Sequence, residues 1–243
     1  MIRLLSSVLH LPASIFKLLT SILTFNFSLM NTPDNPFFPP EFSPEDKALT
    51  LKNASLVKGL EIHFDFITPE EEKKLLINID QHEWLDDLSR RVQHYGYKYD
   101  YTKRTIDHSF YIGEIPEYMQ FLVKRLKDRG FISESCDQAI VNEYVNNQGI
   151  SAHTDCEPCF DDTIISISLS GSCVMNFQKQ RNSVAAEKIP VLLPPGTLVV
   201  MKGESRYNWL HAIAPRKNDV FNGNTYPRGR RISITFRKVI LKK

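Results

Sequence analysis

The second half of the chain is a succession of short segments in which apolar and polar residues alternate, and this pattern constrains the fold more than any other feature. The alternation predicts strands over 138–145, 163–170, 173–178, 196–202 and 230–240. Turns rich in glycine and proline separate these segments, as at Gly171 and at Pro194-Pro195-Gly196. Many short strands divided by such turns are typical of a β-sandwich or a barrel.

Two helices are predicted ahead of these strands. Thr68-Pro69-Glu70-Glu71 has the pattern of a capping box with proline at the first helical position, so a helix begins there and runs to about Gln81. Pro116 opens a second helix, which ends at Gly130. Residues 60–66 alternate and predict one earlier strand. The predicted fold class is therefore mainly β with flanking helices.

The N-terminal part differs from the rest, because residues 1–33 contain no Asp or Glu and many Leu, Ile, Phe and Ser. Three interpretations stay open: a mitochondrial presequence, a signal anchor, and an upstream extension with Met30 as the working start. Lys17 divides the apolar run, and neither part reaches the ~18 residues of a spanning helix, so no stable membrane insertion is expected. The protein is expected in the cytoplasm or nucleus, or in mitochondria if residues 1–33 act as a presequence.

Residues 31–44 contain five prolines, a density that argues against a helix or a central strand. We therefore expect a proline-rich linker over 34–57 and one folded domain over 58–243. The formal net charge is only +2, so any case for nucleic-acid binding must come from local clusters. The four cysteines are too few for a disulfide scaffold and favour a reducing compartment, although a secreted protein with two bridges stays open.

Residues suited to metal binding follow the strand predicted at 138–145. Asn142 and Tyr144 share one face of that strand, because alternate side chains point to the same side. In His153-Thr154-Asp155, an extended chain likewise places the imidazole and the carboxylate side by side. These are two of the three ligands of a two-histidine, one-carboxylate site, which suits Fe(II). His211 is the leading candidate for the third ligand.

This ligand pattern is weak by itself, since His63-Phe64-Asp65 repeats it. We interpret that second copy as unrelated to a metal, because no partner motif accompanies it. The last predicted strand adds weight to the first copy. Its apolar face carries Ile232, Ile234 and Phe236, and its polar face carries Arg231, Ser233, Thr235 and Arg237. Two arginines on one face can simply meet water, or they can line a barrel that holds a small dianion.

Taken in order, these residues resemble AlkB-type iron(II)/2-oxoglutarate dioxygenases. The likeness covers roughly residues 84–240 and is carried by Asn142-x-Tyr144, His153-x-Asp155, His211 and Arg231-x-Ser233-x-Thr235-x-Arg237. Within the family, NEYVNNQGISAHTD (142–155) and GESRYNWLH (203–211) are most similar to the branch that hydroxylates modified wobble uridines of tRNA. Founding members carry Asn where this chain has Ser233.

The resemblance implies a double-stranded β-helix, or jelly-roll, core and the cofactors Fe(II), 2-oxoglutarate and O₂. His153, Asp155 and His211 would hold the iron. Arg231 would bind the distal carboxylate of 2-oxoglutarate, and Arg237 would lie near its C1 carboxylate. Asn142, Tyr144 and Ser233 complete the implied cosubstrate site. The implied function is hydroxylation of a modified nucleobase, with RNA and a tRNA wobble uridine favoured. The alternative is oxidative demethylation of N-alkylated bases in DNA or RNA.

A basic and aromatic segment, RRVQHYGYKYDYTKR (90–104), is the predicted substrate contact. Tyrosines can stack on unpaired bases and cations can meet the phosphate backbone, although an exposed strand and turn would look the same. The residues that we expect to touch substrate are Arg91, Tyr95, Tyr97 and Arg104. Related animal enzymes also carry RNA-recognition and methyltransferase domains. Neither fits beside the predicted domain, so a separate RNA-binding or methyltransferase partner is expected.

Cys156 and Cys159 follow Asp155 directly. A single C-x-x-C is compatible with half a zinc site, a redox pair or two unrelated thiols. Because Cys136 and Cys173 belong to no comparable motif, the sequence favours unrelated or weakly functional thiols. Two further hypotheses stay open: a jelly-roll binding module without catalysis, and a hydroxylase of protein side chains.

Overall fold

The structure is a computed structural model and describes residues 42–86, 88–100, 102–145, 147–179 and 187–241. The expectations for residues 1–33 and for the first part of the linker, 34–41, lie outside this range. Within the described part, no helix has the length and apolar character needed to cross a membrane. The compact unit that contains the described residues begins at Phe42.

In chain order the helices are α1 (Pro44–Ser55), α2 (Pro69–Gln81), α3 (Glu117–Asp128) and α4 (Glu204–Tyr207), with a 3₁₀ turn at His108–Phe110. The strands are β1 (Leu60–His63), β2 (Val92–Tyr97), β3 (Tyr111–Gly113), β4 (Gln138–Tyr144), β5 (Ile150–His153), β6 (Phe160–Leu169), β7 (Cys173–Lys179), β8 (Lys188–Leu193), β9 (Leu198–Met201), β10 (Trp209–Ile213), β11 (Asn218–Phe221), β12 (Asn224–Pro227) and β13 (Arg231–Val239).

Two antiparallel sheets form the body of the domain. The larger sheet has the order β1-β9-β6-β13-β4-β2-β3, and the smaller has the order β5-β10-β7-β8. Strands far apart in sequence lie side by side: β13 pairs with both β4 and β6, and β10 pairs with β5 and β7. This is the jelly-roll arrangement predicted as the core, flanked by helices.

The larger sheet separates two hydrophobic clusters. On one side, apolar residues of β6, β9 and β13 pack with α2 and α3, as Ile234 and Phe236 do with Leu75 and Leu122. On the other side, Ile164 and Met201 share a cluster with Met175 and Phe177 of the smaller sheet. Because side chains alternate across a strand, the apolar side chains of β13 point toward the helices and its polar side chains point into the space between the sheets.

Most of the predicted elements are confirmed. Helix α2 has the expected capping box, with Thr68 Oγ1 accepting from the amide of Glu71 and the Glu71 carboxylate accepting from the amide of Thr68. Helix α3 ends before Gly130, whose φ of 73° is the left-handed geometry expected at a helix end. The predicted strands all form, each with bounds a few residues different. The sequence did not predict β2, β3, β5, β8, β10, β11 and β12.

The linker prediction over 34–57 is wrong where the structure describes it, because α1 occupies Pro44–Ser55 and belongs to the fold. Ser43 caps this helix and Pro44 takes its first turn, a position where proline favours a helix. Its buried face is largely polar, so no apolar periodicity in the sequence indicated a helix. Thr50 accepts a hydrogen bond from the amide of Leu192, and Asn53 donates to the carbonyl of Pro190. The domain therefore begins near Phe42, not at residue 58.

Asp46 anchors α1 to the β11–β12 hairpin. Its carboxylate accepts hydrogen bonds from the hydroxyl of Tyr226 and the side-chain amide of Asn222. We expect Asp46→Ala to lower the free energy of unfolding by about 2 kcal/mol, because these donors lose a buried acceptor. Urea denaturation measures the change. Glu45→Ala, at an exposed site in the same turn, should stay within about 0.5 kcal/mol of the parent. Equal effects of the two changes would contradict this account.

Candidate active site

Two histidines from neighbouring strands of the smaller sheet and one aspartate from the turn after β5 converge. His153 ends β5 and lies opposite His211 of β10, with their ring centroids 4.3 Å apart. Asp155 follows two residues after His153, and its Oδ2 is 3.8 Å from Nε2 of His211. One ligand atom from each residue lies within 4.8 Å of the others. Among the described residues, this is the one group of three or more such side chains that could hold a metal ion.

The protonation of this triad suits a metal. His153 Nδ1 lies 2.8 Å from the carbonyl oxygen of Ser151, an acceptor that favours a proton on Nδ1 and a free lone pair on Nε2 for a metal. Burial lowers the pKa of His211 to about 3, so its ring is neutral at physiological pH. Burial alone would raise the pKa of Asp155, but the nearby Arg237 guanidinium opposes this and the pKa lies at about 2. Neutral imidazoles and an ionised carboxylate are the forms that bind a metal.

Arg206 holds the backbone around Asp155. This arginine of α4 is buried, and its Nη1 donates to the carbonyl of Asp155 at 2.9 Å while its Nη2 donates to the carbonyl of Cys156 at 3.1 Å. It lies five residues before His211 in the chain, so one guanidinium joins the segments that carry two ligands of the triad. Arg206 is a positioning residue that sequence reasoning missed, because a lone arginine in a short helix gives no signal of what it touches.

We expect Arg206→Gln to weaken metal binding by about tenfold, the lower end of the range for groups that orient metal ligands. Anaerobic titration with Co(II) or Mn(II), monitored spectroscopically, measures the affinity. Arg216→Gln is the control, because Arg216 bonds to Asp219 and not to the segment after Asp155. The idea would be refuted by an unchanged metal affinity in a folded Arg206→Gln protein.

A cavity of about 430 Å³ opens beside the triad, between the two sheets. Arg231 lies in it, 3 % exposed, and its Nη2 donates to the hydroxyl of Ser168 at 2.8 Å. Its Nε and Nη1 are buried and have no hydrogen-bond partner among the described residues. A buried cation with free donors is costly unless an anion meets it, so this part of the cavity is built for an acidic ligand.

The other residues predicted for the cosubstrate also line the cavity: Asn142, Tyr144, Ser233 and Arg237. The Tyr144 ring lies 5.4 Å from the guanidinium carbon of Arg231. Arg237 was expected near the C1 carboxylate, and the structure places its Nη2 2.8 Å from Oδ1 of Asp155. Arg231 and Arg237 thus face the same cavity from the polar face of β13. Arg237 lies beside the triad, and Arg231 has two buried donors without a partner among the described residues.

The substrate prediction needs correction at Arg91 and Tyr95, which the structure places away from the cavity. Arg91 donates to Glu143 at 2.6 and 2.9 Å and lies over Trp84. The Tyr95 hydroxyl meets Gln93 and Tyr118. The reason is the phase of an extended chain: odd-numbered residues from 91 to 95 point away from the space between the sheets.

Arg90 has the opposite phase and lines the cavity, although sequence reasoning did not place it among the expected contacts. Its Nε donates to Oδ1 of Asn142 at 2.8 Å, and its guanidinium lies over the Tyr144 ring. Arg104 and Tyr99 also line the cavity, as expected for Arg104. The register of β2 against β4 was the missing signal, because Val92 pairs with Asn142.

Tyr97 neither lines the cavity nor points away from the space between the sheets. It packs against the cluster between the sheets and against Tyr111, with ring centroids 5.2 Å apart, and it is not among the residues that line the cavity. Gly96 precedes it with a φ of 76°, where an added Cβ would collide with the carbonyl of Asp137. This left-handed residue interrupts the alternation, so Tyr97 and Tyr95 pack in different clusters.

Cys156 and Cys159 are joined in a disulfide, which corrects the expectation of unrelated thiols. A tight turn brings them together, with the amide of Cys159 donating to the carbonyl of Cys156 at 3.2 Å. The spacing allowed this pairing, but only the turn between Asp155 and β6 decides it. Cys136 and Cys173 are free. The second His-x-Asp copy is also explained: His63 contacts Glu61 and Asp65 pairs with Lys47, away from the triad.

Comparison with known proteins gives one consistent result. The chain is 38% identical over 197 residues to the uncharacterized protein L905 of Acanthamoeba polyphaga mimivirus, covering 81% of this chain and 92% of that protein. It is 36% identical to the alkylated DNA repair protein ALKBH8 homolog of Arabidopsis thaliana, covering 75% and 59%. It is 37% identical to the Xenopus tropicalis tRNA (carboxymethyluridine(34)-5-O)-methyltransferase alkbh8, covering 76% and 32%.

The chain thus spans about three fifths of the plant relative and a third of the frog relative. The solved structure of OsALKBH1 shares the fold, with a TM-score of 0.56 at 17% identity over 74% of this chain and 98% of that one. Residues 59–237 match the family described as the 2OG-Fe(II) oxygenase superfamily. The chain therefore belongs to the 2OG-Fe(II) oxygenase superfamily, as an AlkB-type 2-oxoglutarate-dependent dioxygenase related to ALKBH8.

Proposed function

We propose that this dioxygenase oxidises a modified base in nucleic acid, and that the side chain of a tRNA wobble uridine is its substrate. The observation that carries the proposal is that one cavity is lined by the triad, by Arg231 with its unpaired donors, and by Arg90, Arg104 and Tyr99. Two relatives add support, since one is named for carboxymethyluridine 34 of tRNA and the other for ALKBH8.

Enzymes of this family use Fe(II), 2-oxoglutarate and O₂, which together convert 2-oxoglutarate to succinate and CO₂ and place one oxygen atom on a substrate C–H bond. The residues of this chain fit that set. Two histidines and one carboxylate are a ligand set that suits Fe(II), and His153, Asp155 and His211 would hold it. The charge of Arg231 and its two unpaired donors, Nε and Nη1, suit an acidic group such as the distal carboxylate of 2-oxoglutarate.

The protein's own contribution is to orient these groups and to keep water away from them. Tyr144 lies against the guanidinium groups of Arg90 and Arg231 and holds both at the cavity wall. Arg237 keeps the Asp155 carboxylate ionised and fixes one of its oxygens. The apolar side chains of Ile164, Met175 and Val199 close the inner wall, which protects the reaction from solvent.

The cavity residues Arg90, Arg104 and Tyr99 suit an unpaired base. Arg90 and Arg104 can meet phosphate or the polar edge of the base, and the Tyr99 ring lies within stacking reach of the cavity. A base that enters must leave its helical stack, so the selectivity of the enzyme depends on which C–H bond then reaches the metal. An alkyl substituent on C5 of uridine would keep the new hydroxyl group, because it is attached through carbon.

Mass spectrometry of tRNA nucleosides tests this proposal. Bulk tRNA from cells that lack the protein is incubated with the full chain, Fe(II) and 2-oxoglutarate, and the wobble nucleosides are compared before and after. We expect one modified uridine to gain the mass of one oxygen atom. The protein with His153→Ala is the matched control. If no uridine changes although succinate forms, the wobble-uridine proposal is rejected.

The second candidate function is oxidative demethylation of N-alkylated bases in DNA or RNA, since the Arabidopsis relative is named as an alkylated DNA repair protein. The same cavity would then receive an N-methyl group, and hydroxylation there would release formaldehyde. N-methylated DNA and RNA oligonucleotides, assayed for formaldehyde in parallel with tRNA, separate the two functions. Formaldehyde without any hydroxylated uridine would favour demethylation.

A further inference from the structure

The disulfide between Cys156 and Cys159 has no role in the chemistry described so far, yet it lies directly beside the triad. Cys156 follows Asp155 in the chain and lines the cavity. Both cysteines are buried, with exposures of 6% and 3%, and their Cα atoms are 5.3 Å apart. Cys159 is not among the residues that line the cavity, so Cys156 is the member of the pair that a molecule in the cavity meets.

The surroundings of the pair exclude a zinc site within the described part of the chain. Structural zinc needs four ligands, and no third cysteine, histidine or acidic side chain joins these two. Both sulfur atoms instead face the carbonyl oxygen of Arg104, at 3.6 Å from Cys156 and 3.5 Å from Cys159. A thiol S–H can donate to that carbonyl and a disulfide cannot, so this position accommodates a dithiol as well.

We propose that the reduced pair is an internal two-electron reductant that is consumed when the enzyme turns over 2-oxoglutarate without oxidising a substrate. In such a turnover, one atom of O₂ enters succinate and the other has no C–H bond to receive it. The two thiols supply the two electrons and two protons that convert this atom to water.

The balance is complete without another reagent. 2-Oxoglutarate, O₂ and two thiols give succinate, CO₂, water and one disulfide. The C1–C2 bond of 2-oxoglutarate breaks and the sulfur–sulfur bond forms. Dioxygen accepts four electrons, two from 2-oxoglutarate and two from the thiols.

The pair lies among side chains whose oxidation would be harmful. Tyr144, Met175 and Met201 also line the cavity, and oxidation of methionine or tyrosine there would damage the site. A disulfide is reversible, because a small thiol that enters the cavity can attack the sulfur of Cys156. The pair would thus spare residues whose oxidation needs a dedicated repair enzyme or is permanent.

The test uses the full chain, reduced and freed of reductant under anaerobic conditions, then given Fe(II), 2-oxoglutarate and O₂ with no nucleic acid and no ascorbate. Succinate is quantified, and differential alkylation with peptide mass spectrometry quantifies the Cys156–Cys159 disulfide. We expect about one disulfide for each early succinate, and no disulfide when 2-oxoglutarate or O₂ is omitted.

Two variants sharpen the result. Cys159→Ser should still produce succinate but form no disulfide, and oxygen adducts should appear on cavity residues such as Met175. Cys136→Ser, which alters a free cysteine elsewhere, should behave as the parent. The proposal is overturned if the disulfide forms equally fast without 2-oxoglutarate, or if succinate accumulates while the thiols stay reduced. Failure to form any succinate would overturn it together with the assigned chemistry.

Discussion

Replacing His153 with alanine is expected to reduce the conversion of 2-oxoglutarate to succinate by more than about 100-fold. Changes in groups that merely orient a metal ligand cost 10- to 100-fold in affinity or activity, so loss of a ligand should cost more. His153 is also partly exposed and pairs with His211 only across the β5–β10 contact, so its removal should leave the fold intact. Succinate release and anaerobic Co(II) binding should be lost together.

His63→Ala is the matched control for this prediction. His63 belongs to the second His-x-Asp copy, and it lies on β1 in contact with Glu61. Its replacement should leave both succinate release and metal binding within about twofold of the parent. A His153→Ala protein that still forms succinate at the parental rate would refute the assignment of the triad.

Replacing Arg231 with glutamine is expected to raise the KM for 2-oxoglutarate by about 100-fold. Truncating one partner of a buried charge pair typically costs 2–5 kcal/mol, and about 2.7 kcal/mol corresponds to that factor. Glutamine keeps much of the side-chain volume but removes the charge and the guanidinium donors that have no partner in the protein. Because Arg231 contacts none of the triad residues directly in the hydrogen bonds described, metal affinity should change little. Initial rates over a range of 2-oxoglutarate concentrations measure the effect.

The neighbouring arginine provides the control. Arg230 points away from the cavity and bonds to Asp80 and Glu143. Arg230→Gln should lower stability, because it removes one cation from the partly buried Glu143 network, but the KM for 2-oxoglutarate should stay near the parental value. If both variants raised the KM equally, the binding site would not be the cavity face of β13.

How far the site could be predicted depended on whether its signal was local. The spacing of His153 and Asp155 and the alternation of β13 are properties of a few consecutive residues, and both were readable. His211 lies 56 residues beyond Asp155, so the spacing of residues could name it only as a candidate, and the pairing of β10 with β5 places it beside His153. Arg206 had no local signal, because its role consists entirely of contacts with a distant turn.

In the predicted substrate segment, 90–104, the local sequence likewise could not identify the individual residues that reach the site. Composition correctly marked 90–104 as basic and aromatic, but it could not say which arginine faces the cavity. The register of β2 on β4 decides this, and a shift of one residue exchanges Arg90 for Arg91. Helix α1 was not predicted from the sequence for another reason. Its buried face is polar, and its burial depends on contacts with β8 and the β11–β12 hairpin.

By itself, the sequence determined the elements that depend on near neighbours: the capped helix α2, the strand pattern from residue 138 and the two faces of β13. Tertiary structure alone decided which faces meet, and so it selected Arg90, recruited α1 and Arg206, and joined Cys156 to Cys159. The physical reason is that a helix cap or an alternating strand is stabilised within a few residues, whereas a cavity consists of side chains brought together by strand pairing across the whole chain.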